Sequence, residues 1–275
     1  MTTTRFAPSP TGRLHLGHAF SAVAGYDKID PPKGRFLLRI EDLDQSRSRS
    51  HYVGEIFDDL RWLGLGWEEP VLVQSRRSAE YESALDRLKA MDLVYPCYCT
   101  RADIAAALAA PHAPAAVYPG TCKGLAHDFE RPHSWRLDAA KALEMTDAPS
   151  WSEVDGRTFS SSDIRDEILA RKDAPAAYHL ACVVDDAASG VTLVTRGADL
   201  RASTPVQRLL QMVLGLPEPT YFHHPLVTHE DGRRLAKRDQ APTLAAMREA
   251  GVDGRAFARQ LAAGSLPGGF RFAGA

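Results

Sequence analysis

The chain has 275 residues, with 33 Lys and Arg against 35 Asp and Glu, a formal net charge of −2. Such a protein has no global field for nucleic acid, so any RNA contact must be local, through patches such as Arg47 with Arg49, Arg76-Arg77 or the loop at Arg234. No apolar run approaches a membrane span and the polar N-terminus does not read as a signal peptide. A cytoplasmic protein with one large catalytic domain and an insert is expected.

Thr3 to Ala7 predicts a short buried strand, which Pro8, Pro10 and Gly12 stop. From Leu16 the apolar residues Ala19, Ala22, Val23 and Tyr26 recur at helical spacing. His15-Leu16-Gly17-His18 therefore falls at a strand–turn–helix junction. Bare N–H groups and the positive dipole end make a helix start receptive to phosphate, and Gly17 lets a nucleotide lie against the backbone. Gly34 to Ile40 predicts a strand entering the acidic turn Glu41-Asp42. Two helices follow, marked by Val53, Ile56, Phe57, Leu60 and Leu63 and then by Tyr81, Leu85, Leu88 and Met91, with a short strand, Val71 to Val73, between them. This alternation predicts an α/β fold, a doubly wound parallel sheet with the nucleotide over its carboxyl edge.

Residues 95 to 180 break the alternation and read as an insert. They hold Cys97, Cys99 and Cys122, an Ala-rich helix over 102–110, and strand-like pieces at Ser134 to Leu137 and Arg157 to Ser160. The expected organisation is 1–94 and 181–240 as the halves of a nucleotide-binding domain, 95–180 as the insert, and 241–275 as a short helical segment. Cys182, in the apolar run Tyr178 to Val184, reads as a buried strand residue. Thr243 to Ala250 and Arg255 to Ala263 predict two helices, and 264–275 a Gly-rich tail.

Clustered cysteines in a cytosolic chain read as a metal site before a disulfide. Three thiolates leave one tetrahedral position, for which the residues alone offer His112, His127 or water. Far downstream, Arg233, Arg234, Lys237 and Arg238 follow the turn signal Glu230-Asp231-Gly232 and predict a mobile cationic loop.

The His15–His18 string and this basic loop together resemble the HIGH and KMSKS motifs of class I aminoacyl-tRNA synthetases. With Arg5 to Gly12, Arg39 to Asp44 and Arg196 to Leu200, the stretch from about residue 4 to about 245 resembles a glutamyl-tRNA synthetase catalytic core. The resemblance implies a Rossmann-type core using ATP with Mg2+ and L-glutamate. It implies Arg5 and Arg196 as carboxylate partners, with Arg196 on the side chain, Glu41 for the α-ammonium, and Tyr178, Ser9 and the Ala7 backbone completing the pocket. His15, Gly17 and His18 would serve phosphates and ribose, and Lys237 the pyrophosphate. Only 275 − 237 = 38 residues follow Lys237, so no anticodon-reading domain is expected.

In that respect the chain resembles the truncated branch, the glutamyl-queuosine tRNA(Asp) synthetases. The branch implies transfer of glutamate to queuosine in the anticodon loop of tRNA(Asp). It also implies one structural Zn2+ per chain on Cys97, Cys99 and Cys122, with Tyr118 as fourth ligand by its spacing to Cys122. A monomer is expected. Two other functions stay open: a free-standing core charging a tRNA 3′ end, and a non-enzymatic paralogue that binds glutamate or RNA. The basic loop departs from the family pattern at Arg234 and Ala236, where Lys and Ser are usual.

Overall fold

Thr3–Phe6 forms strand β1, all four residues buried, and Pro8 and Pro10 keep the chain from continuing it. The computed structural model describes residues 1–29, 33–100, 102–104, 118–126, 128–235 and 242–273. Lys237 and Ala236 of the basic loop, His112, His127 and most of the helix expected over 102–110 lie outside the described residues.

Helix α1 (Leu16–Asp27) follows β1, then β2 (Arg35–Ile40), α2 (Ser50–Trp62) and β3 (Glu68–Val73). β2 runs parallel to β1, with Thr3 opposite Arg35 and Phe6 opposite Leu38, and β3 runs parallel to β2. After α3 (Ser78–Ala90) the chain leaves this pattern. β4 (Val94–Cys97), β5 (Ser134–Leu137) and β8 (Ile168–Ala170) make an antiparallel sheet. Helix α4 (Ala139–Glu144) and the hairpin of β6 (Ser150–Ser152) with β7 (Thr158–Ser160) lie between β5 and β8 in sequence.

The parallel pattern resumes with α5 (Tyr178–Ala188), β9 (Leu193–Gly197), α6 (Thr204–Val213) and β10 (Thr220–His224), with β10 parallel to β9. β9 lies beside β1: the Thr192 N–H donates to Thr3 O at 2.9 Å, and the hydroxyls of Thr4 and Thr195 bond at 3.0 Å. The parallel strands therefore run in the order β3, β2, β1, β9, β10, and the chain reverses direction of travel across the sheet between β1 and β9. Such a reversal opens a crevice at the carboxyl ends of the central strands. β11 (Leu226–His229), α7 (Leu244–Glu249) and α8 (Gly254–Ala262) complete this part.

Two apolar clusters hold the layers together. One joins Leu16, Ala19, Leu38, Ile40, Leu60, Phe257 and Leu261; the other joins Tyr81, Leu88, Leu137, Leu169, Leu180, Leu209 and Leu210. Leu60, Leu180 and Leu209 are fully buried, and each such side chain contributes roughly 1.5–3 kcal/mol by leaving water.

Two expectations are corrected. The Cys182 run is helix, not strand: Leu180, Ala181, Cys182, Val183, Asp185 and Asp186 of α5 are all buried, and a helix buried round most of its circumference shows little apolar periodicity. The Gly-rich tail contains β12 (Phe270–Ala273), antiparallel to β11. Its period-2 signal, Phe270 and Phe272 about the exposed Arg271, is too short to stand out beside Gly268 and Gly269.

Candidate active site

His15 sits just before α1 in extended backbone, and its Nδ1 accepts from the Gly17 N–H at 3.1 Å. The His18 Nδ1 accepts in return from the His15 N–H at 3.2 Å, and the two ring centroids are 3.9 Å apart. Imidazole nitrogens thus do at this helix start what Ser and Glu do in an ordinary capping box. The expected bare N–H groups are corrected here, since those of His15 and Gly17 are taken by the rings. With each Nδ1 accepting, a neutral ring carries its proton on Nε2, a donor suited to phosphate oxygen. A Cβ on Gly17 would come within 3.1 Å of His15 Cε1, so glycine is what lets the ring fold over the helix.

The basic loop begins at this same place. Gly232, at φ +86°, closes a turn in which the His229 N–H donates to Arg233 O at 3.0 Å. Leu235 then lies against Gly17, its Cδ1 3.7 Å from where a Cβ would stand. On the far side Thr243 bridges to His15, and the Leu244 N–H donates to Leu14 O at 2.9 Å. Both described flanks of the segment carrying Lys237 therefore adjoin the His15–His18 turn.

Beside it, at the carboxyl ends of β1 and β9, a cavity of about 290 Å³ is lined by Arg5, Ala7, Ser9, His18, Glu41, Tyr178 and Arg196. The fold thus gathers the six residues expected for glutamate with one of the two histidines. Arg5 belongs to a buried charge cluster: its Nε and NH2 donate to Asp186 at 3.0 and 3.3 Å, and its NH1 to Thr195 O at 2.9 Å. Arg39 joins Asp186 at 2.5 Å and Glu41 at 3.1 Å. Two guanidiniums and two carboxylates balance in a site where an unpaired charge would be very costly. Against its burial, Arg5 and Arg39 hold the Asp186 carboxyl far below the usual range. Burial pushes the Glu41 carboxyl up, with Arg39 opposing, and pushes the Tyr178 hydroxyl up to about 12.

Arg196 is held differently. Its Nε donates to His223 Nε2 at 3.0 Å, NH2 to Thr204 Oγ1 at 2.7 Å, and NH1 to Gln207 Oε1 at 2.6 Å and Tyr178 Oη at 3.5 Å. Among the described residues every one of these acceptors is uncharged, because burial and Arg196 push the His223 imidazole down to about 4. His223 Nδ1 in turn lies 2.6 Å from Glu153 Oε1.

Asp186, Glu153, His223, Thr204 and Gln207 are the residues that sequence reasoning missed. The pair Asp185-Asp186 inside an apolar run was a usable signal, since buried acids persist only with partners. Asp185 indeed meets Arg77, Gln74 and Tyr81. Glu153 and His223, 70 positions apart, left no local signal.

The third cluster lies in the antiparallel part. The sulfurs of Cys97, Cys99 and Cys122 lie within 4.8 Å of one another, with Cys99 and Cys122 3.5 Å apart. Tyr118 Oη stands 3.4 Å from Cys97 Sγ and 3.8 Å from Cys99 Sγ. Sulfurs round a tetrahedral zinc stand about 3.8 Å apart, so these four donors fit such an ion. Arg136 donates to Cys97 Sγ at 3.2 Å and stacks 3.7 Å from the Tyr118 ring, a cation placed to offset anionic ligands. Despite burial, the Tyr98 N–H and the Tyr118 hydroxyl hold the Cys122 thiol below its ordinary value. Cys182 lies elsewhere, 3.5 Å from Asp186.

Residues 1–262 match the family model described as tRNA synthetases class I (E and Q), catalytic domain. A glutamyl-Q tRNA(Asp) synthetase of Rhodobacter capsulatus is 44% identical over 268 residues, covering 90% of this chain and 95% of that one. One from Nocardia farcinica is 46% identical over 254 residues, 90% of this chain and 79% of that one. Among solved structures, a glutamate-tRNA synthetase from Elizabethkingia anophelis superposes with a TM-score of 0.78 at 25% identity over 95% of this chain. The chain spans only 61% of that synthetase. No described helix is long and apolar enough to cross a membrane.

Proposed function

Because the chain belongs to the class I (E and Q) tRNA synthetase family, with curated relatives named glutamyl-Q tRNA(Asp) synthetases, we propose that it activates L-glutamate with ATP and transfers it to queuosine in the anticodon loop of tRNA(Asp). It is a ligase. One observation carries the choice of amino acid: Glu41 and an Arg196 guanidinium with no described carboxylate partner line the same cavity. An ammonium at one end and a carboxylate at the other complement that pair.

In this reading Arg196 takes the side-chain carboxylate and Glu41 the α-ammonium, with Arg5, Ala7, Ser9 and Tyr178 completing the pocket. The glutamate α-carboxylate attacks the ATP α-phosphate in line and releases pyrophosphate. No side-chain nucleophile is needed, so the protein contributes position and stabilisation of developing charge. His15, Gly17 and His18 serve the phosphates and ribose, Lys237 the pyrophosphate, and Mg2+ accompanies ATP. Cys97, Cys99, Cys122 and Tyr118 hold one structural zinc. The core is doubly wound, with residues 1–94 and 181–240 as its halves, 95–180 as a zinc-bearing insert and 241–275 as a short closing segment. The enzyme acts as a monomer in the cytoplasm.

The test is the acceptor. Labelled glutamate and ATP are incubated with an anticodon stem-loop carrying queuosine, the same RNA carrying guanosine, and a full glutamate tRNA. Label on the queuosine RNA alone is expected. Label on the glutamate tRNA with none on the queuosine stem-loop would overturn the assignment in favour of 3′-end charging, as the likeness to glutamate-tRNA synthetases would have it.

A further inference from the structure

Arg196 and His223 are opposite partners on the parallel strands β9 and β10, so their side chains meet on one face of the sheet. The Arg196 Nε always carries a proton, and at 3.0 Å it can only donate to His223 Nε2. Nε2 is therefore the bare nitrogen of the ring, and the proton sits on Nδ1, where Glu153 Oε1 accepts it at 2.6 Å. The other carboxylate oxygen accepts from the His223 backbone N–H at 3.2 Å, which fixes Glu153 in turn. The side chains of His223 and Glu153 are 0% and 4% exposed, so water does not compete for these bonds.

Glu153 comes from the stretch 95–180, not from the parallel strands beside it. It follows β6 and forms a parallel bridge to Tyr221, while the Val154 N–H donates to Tyr221 O at 2.9 Å. The hairpin of β6 and β7 thus docks on the edge strand β10 and delivers one carboxylate behind the arginine. That carboxylate is kept one ring away from Arg196. The contrast is Arg5, whose guanidinium is joined directly to Asp186. A neutral imidazole orients Arg196 without neutralising it, which leaves its charge for an incoming carboxylate. Were the ring proton on Nε2, two donors would face each other and the guanidinium would have to turn away.

We propose that Glu153 and His223 are positioning residues: Glu153 locks the imidazole with its proton on Nδ1, and Nε2 then aims the Arg196 guanidinium into the cavity with its charge intact. The insert thereby sets selectivity for glutamate over glutamine. This rests on the reading of Arg196 as the partner of the substrate side chain.

The test combines nitrogen-15 NMR of the histidine rings with amino-acid-dependent pyrophosphate exchange. Wild-type His223 is expected as the Nδ1–H tautomer, shifting towards Nε2–H in Glu153→Ala. That variant should raise the glutamate KM about tenfold or more, with kcat and the ATP KM within about threefold, as expected if a misaimed Arg196 loses one buried hydrogen bond to the substrate. Its preference for glutamate over glutamine should fall about tenfold. Glu153→Gln keeps an acceptor for the Nδ1 proton and should recover most of the loss. His223→Gln, whose side-chain oxygen can stand in for Nε2, should outperform His223→Ala, and these two variants decide the matter if Glu153→Ala does not fold. An Nε2–H tautomer in the wild type, or an unchanged glutamate KM in folded Glu153→Ala, would overturn the proposal. Absence of exchange in the wild type would instead count against the functional reading, and the tautomer would still decide the relay.

Discussion

Asp186→Asn removes the carboxylate that two buried guanidiniums share, and its cost can be worked from the geometry. The side chain is 5% exposed and accepts from Arg5 Nε at 3.0 Å, Arg5 NH2 at 3.3 Å and Arg39 NH1 at 2.5 Å. Asparagine keeps one acceptor oxygen but turns an amide donor towards guanidinium N–H groups, and Glu41 alone then faces two positive charges. Breaking a buried pair from one side typically costs about 3–5 kcal/mol, and the retained oxygen argues for the lower end, about 3 kcal/mol. For a chain of this size that is a fall in Tm of about 6–12 °C. Chemical denaturation and thermal melts would measure it. Asp231→Asn, which loses only the exposed pair with Arg233, serves as control and should leave the melting temperature essentially unchanged.

The pH dependence has a definite sign. The folded-state pKa of Asp186 lies below its unfolded value. Its contribution is thus fully present above the unfolded pKa, about 3.9, and is lost as pH falls below that. The part of the wild type's advantage over Asp186→Asn that comes from ionisation of Asp186 itself should therefore hold from about pH 8 to about pH 5 and be lost only in stronger acid. A gap under about 1 kcal/mol at neutral pH would refute the idea that this cluster is a dry, balanced network.

Lys237→Ala should slow adenylate formation on the order of a hundredfold or more with glutamate binding little changed, as for removal of one preorganised charge at a developing anion; a rate within about threefold of wild type would make it an ordinary solvated lysine. The companion Ala236→Ser should leave activity equal or higher, in pyrophosphate exchange. Metal analysis of protein purified without chelator should give close to one zinc per chain, lost with stability in Cys97→Ala, Cys99→Ala or Cys122→Ala and kept in Cys182→Ala. Stoichiometric zinc in a Cys97/Cys99 double variant would refute that site.

Most of the scaffold was legible because its signals are local. Pro8 and Pro10 end β1, the apolar spacing from Leu16 gives α1, and Ile56 and Leu60 give α2, each within a few residues of chain. Where the surroundings bury most of the circumference, as in α5, or the element is four residues long, as in β12, the local pattern carries too little to read. The cavity lining was legible through motif resemblance, which locates residues but not their partners. Resemblance could name Arg5 and Arg196 as cations for carboxylates and put Arg196 on the side chain, yet nothing near either in sequence shows how each guanidinium is held. Their difference lies in Asp186, 181 positions from Arg5, and in His223, 27 positions from Arg196. One guanidinium is neutralised by a carboxylate and the other is steadied by an uncharged ring. Of the two, Arg196 is therefore the one whose charge the fold leaves without a described carboxylate partner, and under the proposed function the discrimination of glutamate from glutamine should depend more steeply on the groups around Arg196 than on those around Arg5.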